Sequence, residues 1–380
     1  MTMETRKLGR TGLEASAVGL GTEHLHKKPR KKVVSVIHEA IDRGVNYFDL
    51  VFSFSDYRDN LGAAFKGRRD KVIIAGHIGC AETDGRYRKT RFIRECDVLF
   101  HDLLRRLDTD YIDVLVLQFV DKEEDYEEIT KAHGLMELAR RLQKQGKARV
   151  IGLSGHKIPV AVKAVRSGEI DVLMFPLNLA WDVVPGREKV LRACVEEQVG
   201  LVAMKIFAGG RIFRRKEGKS VTPVQCLHYA LSQAGVSTAV PGVKNANELK
   251  RTLRFLEATD EQKDFSSVVS HYQEDLIGNC VYCNHCLPCP VGIDIGRKIQ
   301  RLDRALAASS DGLKEDYRTR RKKRGFYFPS RIRSTTGELK DHSTQASACT
   351  ECGVCMERCP FDVDVISKMK QAAQLLEAKA

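Results

Sequence analysis

From Val18 to about Leu256, short apolar runs alternate with stretches whose apolar residues recur every three or four positions. The apolar runs fall at 18–22, 46–49, 71–75, 112–117, 149–153, 171–175, 200–204 and 236–240, and each reads as a buried strand. Helix-period segments follow them, among them 33–43, 91–107 and a long amphipathic stretch over 124–145. Eight strand–helix units of this kind predict an α/β fold, either a closed parallel barrel or a doubly wound sheet. Eight units in about 240 residues fit the (β/α)8 TIM barrel better.

Beyond the repeat the pattern gives way to cysteines. One run reads Cys280-Val-Tyr-Cys283-Asn-His-Cys286-Leu-Pro-Cys289-Pro290, and a second reads Cys349-Thr-Glu-Cys352-Gly-Val-Cys355-Met-Glu-Arg-Cys359-Pro360. Thiolates spaced in this way can point at one tetranuclear iron–sulfur cluster, and the last cysteine of each run, before proline, can reach a neighbouring cluster. Two [4Fe–4S] clusters are therefore expected. In the ferredoxin-like pairing, Cys280, Cys283 and Cys286 join Cys359, and Cys349, Cys352 and Cys355 join Cys289. The first run has two residues, not three, before its last cysteine, which leaves that allocation open. Zinc and a disulfide framework are the rivals, but eight cysteines with two Cys-Pro endings favour clusters. The expected organisation is a barrel over 1–258, then a smaller C-terminal α-helical ferredoxin-like dicluster domain over 259–380 with a basic insert at about 297–340.

Composition refines this picture. The 380 residues, 43% of them apolar, support a sizeable core. No apolar stretch approaches membrane-span length and the N-terminus lacks a signal-peptide core, so a cytoplasmic location is expected. A reducing compartment also suits Cys80, Cys96, Cys194 and Cys226, which are scattered singly. Oxygen-sensitive clusters suggest an anaerobic or low-oxygen cell. Of the net charge of +13, more than half lies between Pro290 and Ala348, where fourteen Lys or Arg face seven Asp or Glu. The densest part is Arg318-Thr-Arg-Arg-Lys-Lys-Arg324. It reads as a solvated linker face or as a docking surface. An acidic redox protein, a ferredoxin or an oxidoreductase subunit, is the first partner to expect. An anionic membrane surface follows, and nucleic acid ranks last because no recognition module accompanies the charge.

Several strand-end motifs resemble one barrel family, the aldo-keto reductases: Leu8-Gly-Arg-Thr-Gly12, Gly44-Val-Asn-Tyr-Phe-Asp49, Leu61-Gly62, Arg69-Asp-Lys-Val-Ile-Ile-Ala75, Asp110-Tyr-Ile-Asp113, Gly146-Lys-Ala-Arg-Val-Ile-Gly152 and Val240-Pro-Gly242. The cysteine-rich extension looks like that of the subgroup with a C-terminal ferredoxin-like domain. The resemblance implies an NADPH-dependent carbonyl reductase with a Tyr proton donor, a Lys and an Asp that lower its pKa, and a substrate-orienting His at the barrel mouth. Only the Asp matches, as Asp49. Phe54 stands at the Tyr position, His77 at the Lys position and Gln118 at the His position. Phenylalanine has no proton to give, and Tyr57 lies on another bearing. Asp49, His77 and Gln118 are the candidate catalytic residues, with His77 read either as half of an acid–base dyad or as filler for lost chemistry.

The resemblance also locates the nicotinamide contacts. Its Ser-Asn pair corresponds to Ser154-Gly155, its Gln to Met174 and its stacking aromatic to Met204. In the phosphate segment Lys244 could meet a phosphate, but Glu248 stands where a cation is usual and Thr252 where an Asn is typical. Ser154, Gly209, Gly210, Arg211 and Lys244 are the candidate cofactor contacts. Glu23, His24, His26, His156 and Lys205 add polar groups for a small-molecule ligand at the mouth, without metal-ligand spacing. NADP(H) binding is thus in doubt, and a flavin would suit one-electron carriers although no flavin motif occurs. Three functions are open: an iron–sulfur oxidoreductase, a non-catalytic electron-transfer subunit whose barrel docks a partner, and a carbonyl reductase with a rearranged site.

Overall fold

All eight expected strands form and pair in parallel, in the order β3 (Leu20–Gly21), β4 (Tyr47–Leu50), β5 (Ile73–Ile78), β8 (Ile112–Leu117), β9 (Ala148–Ser154), β10 (Val172–Pro176), β11 (Gly200–Met204) and β12 (Val236–Ala239). The computed structural model describes residues 2–83, 86–179, 186–213, 221–266, 278, 280, 286–287, 289–310, 344–359 and 362–377. Parallel bridges Val18–Ala239 and Gly21–Gly242 bring the first strand against the last. That seam needs close backbones, and a Cβ at Gly21 would stand 3.3 Å from the Val240 carbonyl oxygen.

Alternation along each strand sends Ile73 and Ala75, Val114 and Val116, and Val172 and Met174 into one apolar core with Tyr47, Val150, Val202 and Val240. The hairpin β1 (Thr5–Lys7) and β2 (Glu14–Ser16) adds Leu8, Leu13 and Ala15 to that core. A second hairpin, β6 (Cys80–Thr83) with β7 (Arg86–Lys89), follows β5. Neither hairpin is visible in the strand–helix alternation.

Helices follow the barrel strands: α1 (Arg30–Asp42), α2 (Ser55–Phe65), α3 (Ile93–Leu107), α4 (Glu123–Thr130), α5 (Leu135–Lys144), α6 (Ile158–Arg166), α7 (Arg187–Glu196), α8 (Pro223–Leu231) and α9 (Ala246–Leu253). The single helix expected over 124–145 is two. The chain turns at His133, with φ of 61°, and a Cβ on Gly134 would come within 2.5 Å of the Ile129 carbonyl oxygen. Sequence markers of the resemblance turn out to hold this frame. Asp113 is buried and accepts hydrogen bonds from Ile74 N, Arg69 Nη2 and Arg149 Nη1 at 2.9, 2.8 and 3.1 Å, tying β5, β8 and β9 together. A Cβ on Gly62 would lie 2.0 Å from the Arg106 carbonyl oxygen, so α2 seats on α3 only through glycine.

The chain divides into two compact units, Met1–Glu274 and Asp275–Ala380, where the sequence pattern placed the boundary after residue 258. Beyond that point α10 (Asp260–Lys263) and the residues after it still pack on α8: Phe265 meets His228 and Tyr229, and Gln225 Nε2 donates to the Asp264 carbonyl at 2.7 Å. The second unit contains α11 (Ile295–Ser310), α12 (Val354–Glu357) and α13 (Val365–Ala372). The start of the expected basic insert is thus helix α11, and Arg318–Arg324 lies outside the described residues. Among the described residues, no helix is long and apolar enough to cross a membrane.

Candidate active site and cluster ligands

Asp49 and His77 leave adjacent strands at the C-terminal end of the barrel. In the register Asp49 faces Ala75, and His77, two residues on, points to the same side. His77 Nε2 lies 2.6 Å from Asp49 Oδ1. The imidazole is 2% exposed and the carboxylate 13%, so only the Asp49 side opens towards solvent. His77 Nδ1 is buried with no hydrogen-bond partner among the described residues. Gln118, at the end of β8, is also buried, and its backbone N donates to the Ile78 carbonyl at 2.9 Å.

Phe54 sits in an aromatic cluster. The His26 ring stacks on it at 4.1 Å, with Phe52 5.3 Å from Phe54. Tyr57 packs against the same rings but sends its hydroxyl to Thr22 Oγ1 at 2.5 Å, and Thr22 Oγ1 in turn donates to the Asp49 carbonyl at 2.7 Å. Burial pushes the Tyr57 phenol well above its ordinary range. This tyrosine braces the strand end and is not poised as the missing acid. Burial also lowers His26, partly offset by Asp56. His24 is exposed and lies over Gly242.

A second pair sits at the ends of β8 and β9. His156 is buried, and both its backbone N and its ring Nδ1 approach Asp121 Oδ1, at 2.6 and 3.0 Å. Burial opposes ionisation of Asp121, yet His156 and Lys205 outweigh it and hold the carboxyl at about 2. Asp121 escaped the sequence reading because it stands four residues past Leu117, the last residue of β8, where alternation no longer assigns a direction. Its only signal is polarity shortly after a largely apolar strand.

At the positions that the resemblance assigns to nicotinamide contacts, the protein packs against itself. A Cβ at Gly155 would lie 2.5 Å from the Val120 carbonyl oxygen, so the loop leaves no room for the usual Asn. Met174 belongs to the apolar core and Ser154 is buried. Glu248 folds back to the start of α9, where its carboxylate accepts the Lys244 backbone N–H at 2.9 Å. It thereby fills the place at a helix N-terminus that would suit a phosphate. The Lys244 side chain is exposed, and buried Thr252 donates to the Glu248 carbonyl at 2.9 Å. Gly209 and Gly210 adopt left-handed backbone at φ of 65° and 81°, beside Lys205 and Ala208, which are also left-handed. The Arg211 side chain lies outside the described part of the structure.

In the second unit, Cys289 from the first run and Cys349, Cys352 and Cys355 from the second line one small cavity, walled by Ile293, Ile295, Ile366 and Met369. Thiolate donors on one side and apolar walls on the other suit a metal–sulfur cluster. Among the described residues, no three Cys, His, Asp or Glu side chains form a group suited to a single metal ion. Glu377 fixes the approach to Cys349 by accepting the backbone N–H groups of Ala346 and Ser347 at 2.6 and 3.0 Å, with Lys298 3.6 Å away. Of the other set, Cys280, Cys286 and Cys359 are described and Cys283 lies outside the described residues. Cys80, Cys96, Cys194 and Cys226 are buried, and burial raises the Cys194 thiol to about 12, so they are inert.

Comparison with known proteins agrees with this division. The Aldo/keto reductase family matches residues 17–223, and a 4Fe-4S dicluster domain matches residues 279–364. The chain is 26% identical to an uncharacterized oxidoreductase, YqkF, of Bacillus subtilis, over 72% of this chain and 98% of that one. It is 27% identical to L-galactose dehydrogenase of Arabidopsis thaliana, over 45% of this chain and 56% of that one. Among solved structures, aldo-keto reductase AKR11C1 of Bacillus halodurans superposes with a TM-score of 0.60 at 23% identity, covering 71% of this chain and 96% of that one. At that identity the likeness is one of fold.

Proposed function

The chain belongs to the aldo/keto reductase family and carries a 4Fe-4S dicluster domain, and on that premise we propose an iron–sulfur oxidoreductase that does not use the family's usual Tyr, Lys and His. Electrons would be exchanged through two [4Fe–4S] clusters with a substrate, cofactor or partner at the barrel mouth. One observation carries this reading: cysteines from runs sixty residues apart surround a single cavity, as the crossed ligand set requires. When bound, a [4Fe–4S] cluster carries one electron at a time. Cys289, Cys349, Cys352 and Cys355 would hold one, and Cys280, Cys283, Cys286 and Cys359 the other. At the mouth, Asp49 orients His77, and the Asp121–His156 pair with Lys205 supplies a second polar wall. A reducing cytoplasm suits the buried thiols of Cys96, Cys194 and Cys226.

A second reading is favoured by Gly155, Met174 and Glu248: the barrel has given up nucleotide contacts and docks a partner in a non-catalytic electron-transfer subunit. Carbonyl reduction with NADPH is the reading these positions support least. Iron and sulfide analysis with electron paramagnetic resonance tests the proposal. Anaerobically prepared protein should hold about eight iron atoms and show two reduced cluster signals. Cys289→Ser and Cys352→Ser should each remove the same one of them. Full iron in either variant, or zinc in place of iron, would contradict it.

A further inference from the structure

Two charged side chains of the second unit meet behind the walls of the cysteine-lined cavity. Lys298 lies one helical turn past Ile295, which walls the cavity, and its side chain is only 7% exposed. Glu377, 14% exposed, ends the turn Ala373–Glu377 that continues α13, the helix supplying Ile366 and Met369 to the same cavity. Its Oε1 lies 3.6 Å from Lys298 Nζ and accepts the Ala346 N–H at 2.6 Å, while Oε2 accepts the Ser347 N–H at 3.0 Å. Those amides open the short turn Ala346–Ala348, and Cys349 N donates back to the Ala346 carbonyl at 3.1 Å. One carboxylate therefore links a buried cation to the turn that delivers Cys349. Burial opposes ionisation of Glu377, yet the Ala346 and Ser347 N–H groups and Lys298 outweigh it and hold the carboxyl below its ordinary range. A buried ion pair adds little net stability, because desolvation offsets its attraction, so its place beside the cavity calls for another reason.

We propose that Lys298 and Glu377 set the reduction potential of the cluster held by Cys289, Cys349, Cys352 and Cys355, Lys298 raising it and Glu377 lowering it while positioning Cys349. The proposal rests on the iron–sulfur reading of this unit. Uptake of one electron adds a negative charge within the cavity, which a nearby buried cation favours and a nearby carboxylate opposes. Salt screens such sheltered charges far less than exposed ones. The two backbone hydrogen bonds fix where the carboxylate stands, which makes Glu377 a positioning residue as well as a charge.

Potentiometric titration of the full-length, anaerobically prepared protein, followed by electron paramagnetic resonance, reads the two clusters separately. The cluster concerned is the one whose signal is lost in Cys352→Ser. Glu377→Gln keeps an oxygen acceptor for the turn but no charge, and should shift the midpoint of that cluster upward. Lys298→Met should shift it downward, and Lys298→Arg, which keeps the charge, should leave it at the wild-type value. The other cluster should move less in every variant, and iron content should stay at the wild-type level. Unmoved midpoints, shifts of the same sign in Glu377→Gln and Lys298→Met, or equal shifts in both clusters would overturn the proposal. Loss of this cluster from both variants would also overturn it, leaving the pair a structural clasp. Wild-type protein without cluster signals would overturn the iron–sulfur reading itself, a failure distinct from midpoints that do not move.

Discussion

Asp121 is a half-buried carboxylate, its side chain 20% exposed, that stays ionised because the His156 backbone and ring, with Lys205, outweigh the cost of its partial burial. Its folded pKa, about 2, is below the ordinary 3.8, so the stabilisation is complete above about pH 4 and is lost as pH falls towards 2. Burial lowers His156 as well, so at pH 7 the pair is held by hydrogen bonds more than by charge. Asp121→Asn should therefore lower stability at pH 7 by about 1.5–3 kcal/mol, as for hydrogen bonds to a charged group. Denaturant unfolding followed by circular dichroism should show the gap between wild type and variant closing as pH drops from about 4. Asp49 and His77 were legible in the sequence because each stands at a strand end where the resemblance places a catalytic residue. Asp121 was not, since a loop just past a strand end has no period from which a direction can be read. Glu248 was legible as a charge of the wrong sign, but its return to the Lys244 backbone N–H was not.

At the scale of elements, residues that mark the family turn out to be joinery. Asp113 takes donors from Arg69, Ile74 and Arg149, and with its side chain 3% exposed its removal would take the carboxylate from largely buried Arg69 and strand the Ile74 N–H, whereas Arg149 is half exposed. Asp113→Ala should cost about 3 kcal/mol in unfolding experiments, mainly through Arg69 and the Ile74 N–H. Gly62→Ala would drive a methyl group into the Arg106 carbonyl, which as backbone cannot rotate away, and should cost about 1–3 kcal/mol by separating α2 from α3. The periodicity revealed all eight barrel strands because each is buried on both faces. It merged α4 and α5, since the apolar stripe continues in phase across a turn enforced by His133 and Gly134. Both hairpins escaped because three or four residues per strand carry too little alternation to stand out.

For the whole molecule, the cysteine spacing disclosed which residues gather, since two C-x-x-C-x-x-C runs cannot serve one cluster alone, and the cavity lined by Cys289 with Cys349, Cys352 and Cys355 follows that crossing. The substrate was not legible, because family motifs describe a frame and the residues that would do the chemistry have changed. The charge of the basic segment belongs to this scale as well. Replacing Arg320, Arg321, Lys322 and Lys323 by Gln should slow association with an acidic ferredoxin about tenfold at low salt, as read by stopped-flow, and flatten its salt dependence. The central claim is that one-electron chemistry has displaced nicotinamide hydride chemistry in this barrel. Anaerobic titration of the cluster-loaded protein with NADPH and then dithionite, watching the cluster absorption, tests it most directly. The account predicts no bleaching and no saturable binding with NADPH, followed by full bleaching with dithionite. Stoichiometric bleaching by NADPH would show that Gly155, Met174 and Glu248 still admit the nucleotide and would contradict the account.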